Sequence, residues 1–175
     1  MSASAIIWPS KYLPGTTDNF VSNETITSNL SSNNIWPLLS DITKWESYYW
    51  NVSQITPPTG DPTLVESSEF SFSTFGFPHL PSRVVESTPP TTTTPGRLAW
   101  IAESTSGEPS SHISVYHAWL VEDLAGGRVR ILTQESQIGE AAKGLAGERP
   151  DRMLNGHQDW LVGLVKAAKE AKECA

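Results

Sequence analysis

Two neighbouring stretches of the chain alternate with a period of two. Over Ile113–Leu124, the residues Val115, His117, Trp119 and Val121 share one face. Over Arg128–Ile138, Val129, Ile131, Thr133, Glu135 and Gln137 do the same. The intervening Ala125-Gly126-Gly127 predicts a tight hairpin. Both faces are apolar at one end and polar at the other, so both are assigned to the interior. That places His117 and Glu135 in one polar zone on adjacent strands. One residue of slip would turn either side chain outward, and the short turn sets the register.

Weaker alternation predicts strands over 20–28, 51–55, 64–75, 81–87 and 97–103, with proline, glycine and threonine breaks between them. Ser31-Ser32-Asn33-Asn34 opens a short helix ending near Leu39, and Pro37 shortens or kinks it. Asp41 caps a second short helix carrying Trp45, Tyr48 and Tyr49. After Pro150, Met153, Leu154, His157, Trp160, Leu161, Leu164, Val165 and Ala168 recur at helical spacing on one buried stripe, with Lys166, Lys169 and Lys172 outside it. The stretch 139–147 reads as a loop or loose helical turn. Residues 1–19 have no period and read as an irregular arm, followed by a single domain over 20–175.

Composition narrows the classes. The 175 residues are 38% apolar and 18% charged, which describes a globular chain, and seven tryptophans must fill a core or line a cavity. Net charge is −7. Residues 1–142 hold six Lys/Arg against fourteen Asp/Glu, so no basic stripe exists to neutralise nucleic-acid phosphates or dock on anionic membranes. No apolar run is long enough for membrane insertion, and the N-terminus lacks a basic start with an unbroken apolar run, which predicts a cytoplasmic protein. Cys174 has no cysteine to pair with. The sequons at Asn23, Asn29 and Asn51 read as chance matches.

Several local patterns, in order, resemble one family. Ile35-Trp36-Pro37-Leu38-Leu39-Ser40-Asp41 with Trp45 is similar to its first helical pair, and Arg97-Leu98-Ala99-Trp100 to one of its strands. His117-Ala118-Trp119-Leu120, then Gly126-Gly127-Arg128-Val129, Glu135 and Gly139, resembles a strand-pair signature of one bacterial and fungal branch. Trp160-Leu161 with Leu164 resembles its terminal helix. The family is the START-like (SRPBCC, Bet v 1-like, polyketide cyclase-like) superfamily. The resemblance covers residues from about 20 to 172 and implies an α+β helix-grip fold: a curved antiparallel sheet of about seven strands around a long C-terminal helix, with two short helices after the first strand. One long and two short helices look too few to fill such a sheet, which predicts an internal cavity of roughly several hundred Å³.

His117 and Glu135 are candidates for a general acid/base pair, with His157 facing the same cavity; equally, they are a hydrogen-bonded pair holding two strands in register. Trp45, Tyr49, Phe70, Phe72, Trp100, Trp119, Thr133, Met153 and Leu161 are the candidate ligand-binding wall, or plain core. His79 and His112 read as loop residues near the rim. The four histidines have no metal-ligand spacing and no nucleotide or nucleophile motif occurs, so no metal and no cofactor are expected. The partner is then a hydrophobic small molecule, with the chain a monomer or homodimer. The leading reading is a cofactor-independent cyclase, isomerase or dehydratase (a lyase) acting on a polyketide-like secondary metabolite. The alternative is a non-catalytic lipid or metabolite carrier, and a third reading is a chaperone-like interaction module.

Overall fold

The computed structural model describes residues 4–77, 79–105 and 107–174. Its longest strands are the hairpin read from the sequence, β6 (Ile113–Leu124) and β7 (Arg128–Ile138). Gly126 and Gly127 both take positive φ, the backbone of a turn that matches strand twist. Ahead of them come β1 (Asn19–Ser28), β2 (Val52–Thr56), β3 (Glu69–Thr74), β4 (Leu80–Thr88) and β5 (Gly96–Ser104). All pair antiparallel in the order β1-β7-β6-β5-β4-β3-β2. Strands β2 to β7 form a meander, and β1 returns to lie beside the last strand.

Between β1 and β2 run α1 (Ser32–Ser40), a 3-10 turn at Ile42–Lys44 and α2 (Trp45–Tyr48). Asn34 Oδ1 accepts from the Ser31 backbone N–H at 2.9 Å, and the Ser32 N–H donates to Asp123 at 2.6 Å, which pins the start of α1 to the β6–β7 hairpin. After β7, residues 140–146 form a helix, α3 (Glu140–Ala146), with Ala142 and Leu145 buried one turn apart. The terminal helix α4 (Arg152–Glu173) is capped by Asp151, whose Oδ1 accepts from the Leu154 N–H at 2.9 Å. Its buried stripe holds Met153, Gly156, His157, Trp160, Leu161, Leu164 and Ala168. Leu154, expected on that stripe, points to solvent and is 42% exposed. No helix among the described residues is long and apolar enough to cross a membrane.

The sheet grips α4 with its concave face. Trp45, Trp100, Trp119 and Trp160 are buried there together with Tyr49, Phe70 and Phe72. On the convex face Tyr116, Ala118, Leu120 and Leu132 are also buried. The cover is the N-terminal segment, where Ile6 and Tyr12 are buried and the Trp8 ring lies 5.4 Å from that of Tyr116. Tyr116 donates to the Ile7 carbonyl at 3.3 Å, and the Tyr12 hydroxyl bonds Ser114 Oγ at 2.7 Å. The segment holds a 3-10 turn at Ser10–Tyr12 and packs as a second layer on the sheet.

Candidate functional site

The β6–β7 register sets His117 directly opposite Glu135 and Trp119 opposite Thr133. Both members of the polar pair face α4, and the helix brings His157 down onto them. Glu135 Oε2 lies 2.9 Å from His117 Nδ1 and 3.3 Å from His157 Nε2. All three residues are buried. His117 Nε2 meets Thr133 Oγ1 at 2.7 Å. Gln137, two residues along the same face, donates from Nε2 to Glu135 Oε1, and Asn19 of β1 donates to Gln137 Oε1 at 2.8 Å. Four consecutive positions of one alternation (131, 133, 135, 137) thus pass from an apolar core residue to a linked polar row.

Electrostatics follow from burial and these bonds. Burial lowers the His117 pKa, against the raising influence of the neighbouring carboxylate. Burial also works to raise that of Glu135, but His117 and then His157 outweigh it by charge and hydrogen bonding, and the carboxyl is held well below its usual range. The carboxylate therefore stays ionised and acceptor-only. Its two imidazole neighbours point N–H groups at it, which assigns their tautomers from the bonding pattern. For His157 this leaves Nδ1 unprotonated, and that atom is buried with no partner among the described residues. For His117 it leaves Nε2 to accept from Thr133.

Beside the three polar residues lies a cavity of about 40 Å³, bordered also by Phe72, Phe75, Phe77, Trp100, Met153 and Trp160. This corrects the expected volume of several hundred Å³. The space between sheet and helix is filled by interlocking rings. Trp160 stacks on Tyr49 at 4.4 Å and meets Trp45 and Trp119 edge-on at 5.0 and 5.1 Å. Phe70 and Phe72 stack at 6.0 Å under Trp45. Of the residues read as a ligand wall, Phe72, Trp100 and Met153 border the cavity. Trp45, Tyr49, Phe70, Trp119 and Leu161 are packed into the core, and Thr133 is engaged by His117. His79 lies exposed in the β3–β4 connection, and His112 is half-buried just before β6.

Three contributors escaped sequence reading. Phe75 and Phe77 sit in the β3–β4 connection and roof the cavity, with the Phe75 ring edge-on to His157 at 6.3 Å. Gly156 makes that contact possible: a Cβ there would lie 2.3 Å from the Phe75 ring. The signal was a glycine on the buried stripe of a helix, one residue before His157. Spacing along the chain gave no ligand set, whereas the fold collects donor atoms of His117, Glu135 and His157 within 4.8 Å of one another.

No protein-family model and no curated protein matches the chain. Among solved structures, it is 44% identical to a hypothetical protein of Helicobacter pylori, over 96% of this chain and 98% of that one, with a TM-score of 0.90. It is also similar to the di-domain ARO/CYC StfQ of the steffimycin biosynthetic pathway, at 12% identity over 87% of this chain and 46% of that one, TM-score 0.58. Norcoclaurine synthase of Thalictrum flavum superposes at 11% identity over 88% of this chain and 96% of that one, TM-score 0.59. The last two likenesses show a shared fold, a curved antiparallel sheet closed around a long terminal helix, as the START-like resemblance of the sequence implies.

Proposed function

We propose that the chain binds a small hydrophobic molecule against the polar row of β7 and moves a proton on it. The observation that carries this reading is His157 Nδ1, a buried basic nitrogen without a partner, on an imidazole whose other nitrogen is held by an ionised carboxylate. Such a carboxylate orients the ring and stabilises the imidazolium formed when Nδ1 takes a proton. Abstraction next to a carbonyl, followed by return of the proton elsewhere, is isomerisation. Loss of a hydroxyl instead is dehydration, and attack of the carbanion on a second carbonyl is cyclisation. Aromatic walls hold the reacting atoms in place, so few catalytic residues are needed. The similar folds include a cyclase and a synthase solved with a transition-state analogue, and by analogy they favour the same use of the interior.

The cavity accepts only the reactive end of a ligand at rest. A polyketide-sized molecule needs Phe75, Phe77 and Met153 to withdraw. The carrier reading draws support from His117, both of whose ring nitrogens already have protein partners and are not free to move a proton on a guest. Mass spectrometry of molecules that co-purify with the protein separates the two. A guest with an enolisable carbonyl that is altered on incubation supports proton transfer; a plain fatty acid released unchanged supports the carrier and overturns catalysis.

A further inference from the structure

His117, Glu135 and His157 come from β6, β7 and α4, yet they bring two imidazole nitrogens and one carboxylate oxygen within 4.8 Å of one another. Two of the three separations are 2.9 and 3.3 Å. Ligand atoms bound to an ion at about 2.0–2.1 Å in a tetrahedron stand roughly 3.3 Å apart. The side chains therefore already have nearly the spacing of one face of a coordination shell. We propose that this cluster is a binding site for a divalent first-row transition-metal ion, with His117 Nδ1, His157 Nε2 and Glu135 Oε2 as its protein ligands.

The surrounding bonds fit that role. A ligating histidine is normally oriented through its second nitrogen, and His117 Nε2 is held by Thr133 at 2.7 Å. A ligating carboxylate is normally held through its other oxygen, and Gln137, itself tethered by Asn19, does this at Glu135 Oε1. The charge also fits. Among the described residues, the ion pairs of Glu135 are with these two histidines, and a dication would neutralise the buried carboxylate while using neutral imidazoles. Three protein ligands leave positions open, and the adjoining cavity of about 40 Å³ has room for water to complete the shell. Two nitrogens and one oxygen, without thiolate, suit zinc or ferrous iron and their neighbours, whereas magnesium and calcium favour all-oxygen shells.

This goes beyond the proton-transfer reading and does not rest on it. Metal at His157 Nε2 would move that ring's proton to Nδ1, so the two uses exclude each other at any moment. The test uses the full chain, dialysed against a chelator and titrated with Co²⁺ in the absence of any organic ligand. One ion per chain should bind, with intense visible absorption bands of a low-symmetry site, displaced by Zn²⁺. Those bands should vanish in His157→Ala and in Glu135→Gln, and Thr133→Val should weaken binding about tenfold. Should Glu135→Gln fail to fold, His157→Gln replaces it, since its amide keeps a hydrogen-bond donor near the carboxylate. A spectrum identical to the free hydrated ion, or bands that persist in the histidine variants, overturns the site. Either result leaves proton transfer standing, because that reading is tested separately on metal-free protein with its co-purified guest.

Discussion

The imidazoles of His117 and His157 lie stacked with ring centroids 4.8 Å apart, one from the sheet and one from the terminal helix. Two rings in that relation repel when both are charged, and only Glu135 stands between their N–H groups. The carboxylate is thus the keystone of the polar row. Replacing it with glutamine leaves one oxygen and an amide where two N–H donors converge. Glu135→Gln should lose about 3 kcal/mol of stability, the range for breaking a buried charged network. Urea denaturation measures this, and an unchanged midpoint would mean that the cluster is held by packing alone.

His157→Gln should separate function from folding. The amide can still donate to Glu135, but the basic Nδ1 is gone. The variant should melt within about 1 kcal/mol of the parent, while conversion of the co-purified guest falls tenfold or more, equivalent to ~1.4 kcal/mol. Full conversion by the folded variant would remove His157 as the base.

Acid should weaken the fold in two stages. The His117 pKa is lowered by burial, so below the ordinary histidine value, about 6.5, the unfolded chain takes up a proton that the folded one refuses. Glu135 is likewise held below its ordinary value, so a second loss begins under about pH 4.5, as the unfolded carboxyl protonates first. Thermal melts of chelated protein between about pH 7.5 and pH 5.5 should show Tm falling, and the fall should shrink in His117→Asn. A Tm that rises over that window would reverse the sign assigned to His117.

Truncation of the first seventeen residues (1–17) should destabilise the sheet rather than trim a tail. Ile6 and Tyr12 are buried on its convex face. At about 1.5–3 kcal/mol for each fully buried side chain, the loss is roughly 3–6 kcal/mol before relaxation. A truncated chain with the parental denaturation midpoint would show that this layer adds nothing.

Gly156→Ala tests the roof of the cavity. The new methyl would collide with the Phe75 ring at 2.3 Å and sit 3.3 Å from the Tyr49 hydroxyl. Phe75 is half-buried and can swing outward. The better helix propensity of alanine, about 1 kcal/mol, offsets much of the strain. Stability should change little, while binding of the dye anilinonaphthalene sulfonate should increase as the cavity opens. Unchanged dye binding would mean that Phe75 does not control access.

Legibility in the sequence tracked the range of the interactions. β6 and β7 were read to the residue, because long alternation and two glycines are local signals. The third strand was read over 64–75 but spans Glu69–Thr74. Leu64 instead donates to the Ser40 carbonyl, and Ser67 takes positive φ, so the strand starts late. The stretch 139–147 reads as a loop or loose helical turn, and burial of Ala142 and Leu145 makes it the regular helix α3 despite its glycines. Juxtaposing His117 with Glu135 needed only the hairpin register. Bringing His157 onto the same oxygen depends on the roll of α4 against the sheet, which no local pattern encodes. Cavity size was misjudged for the same reason, since it is set by how four indoles from separate elements interlock.

The return of β1 to the side of β7 also bears on the order in which the molecule comes together. Asn19 bonds Gln137 across 118 residues, whereas His117 and Glu135 belong to one hairpin closed by a three-residue turn. During synthesis the first strand must wait, unpaired, until nearly the whole sheet has emerged, and distant pairings of this kind are the slow ones to form. His117 and Glu135 can find each other before that closure. Asn19, which steadies Gln137, and His157, which completes the cluster, arrive with the last stages of assembly. A nascent chain stalled after β7 would therefore hold His117, Glu135 and Gln137 in one hairpin, with His157 still to be delivered.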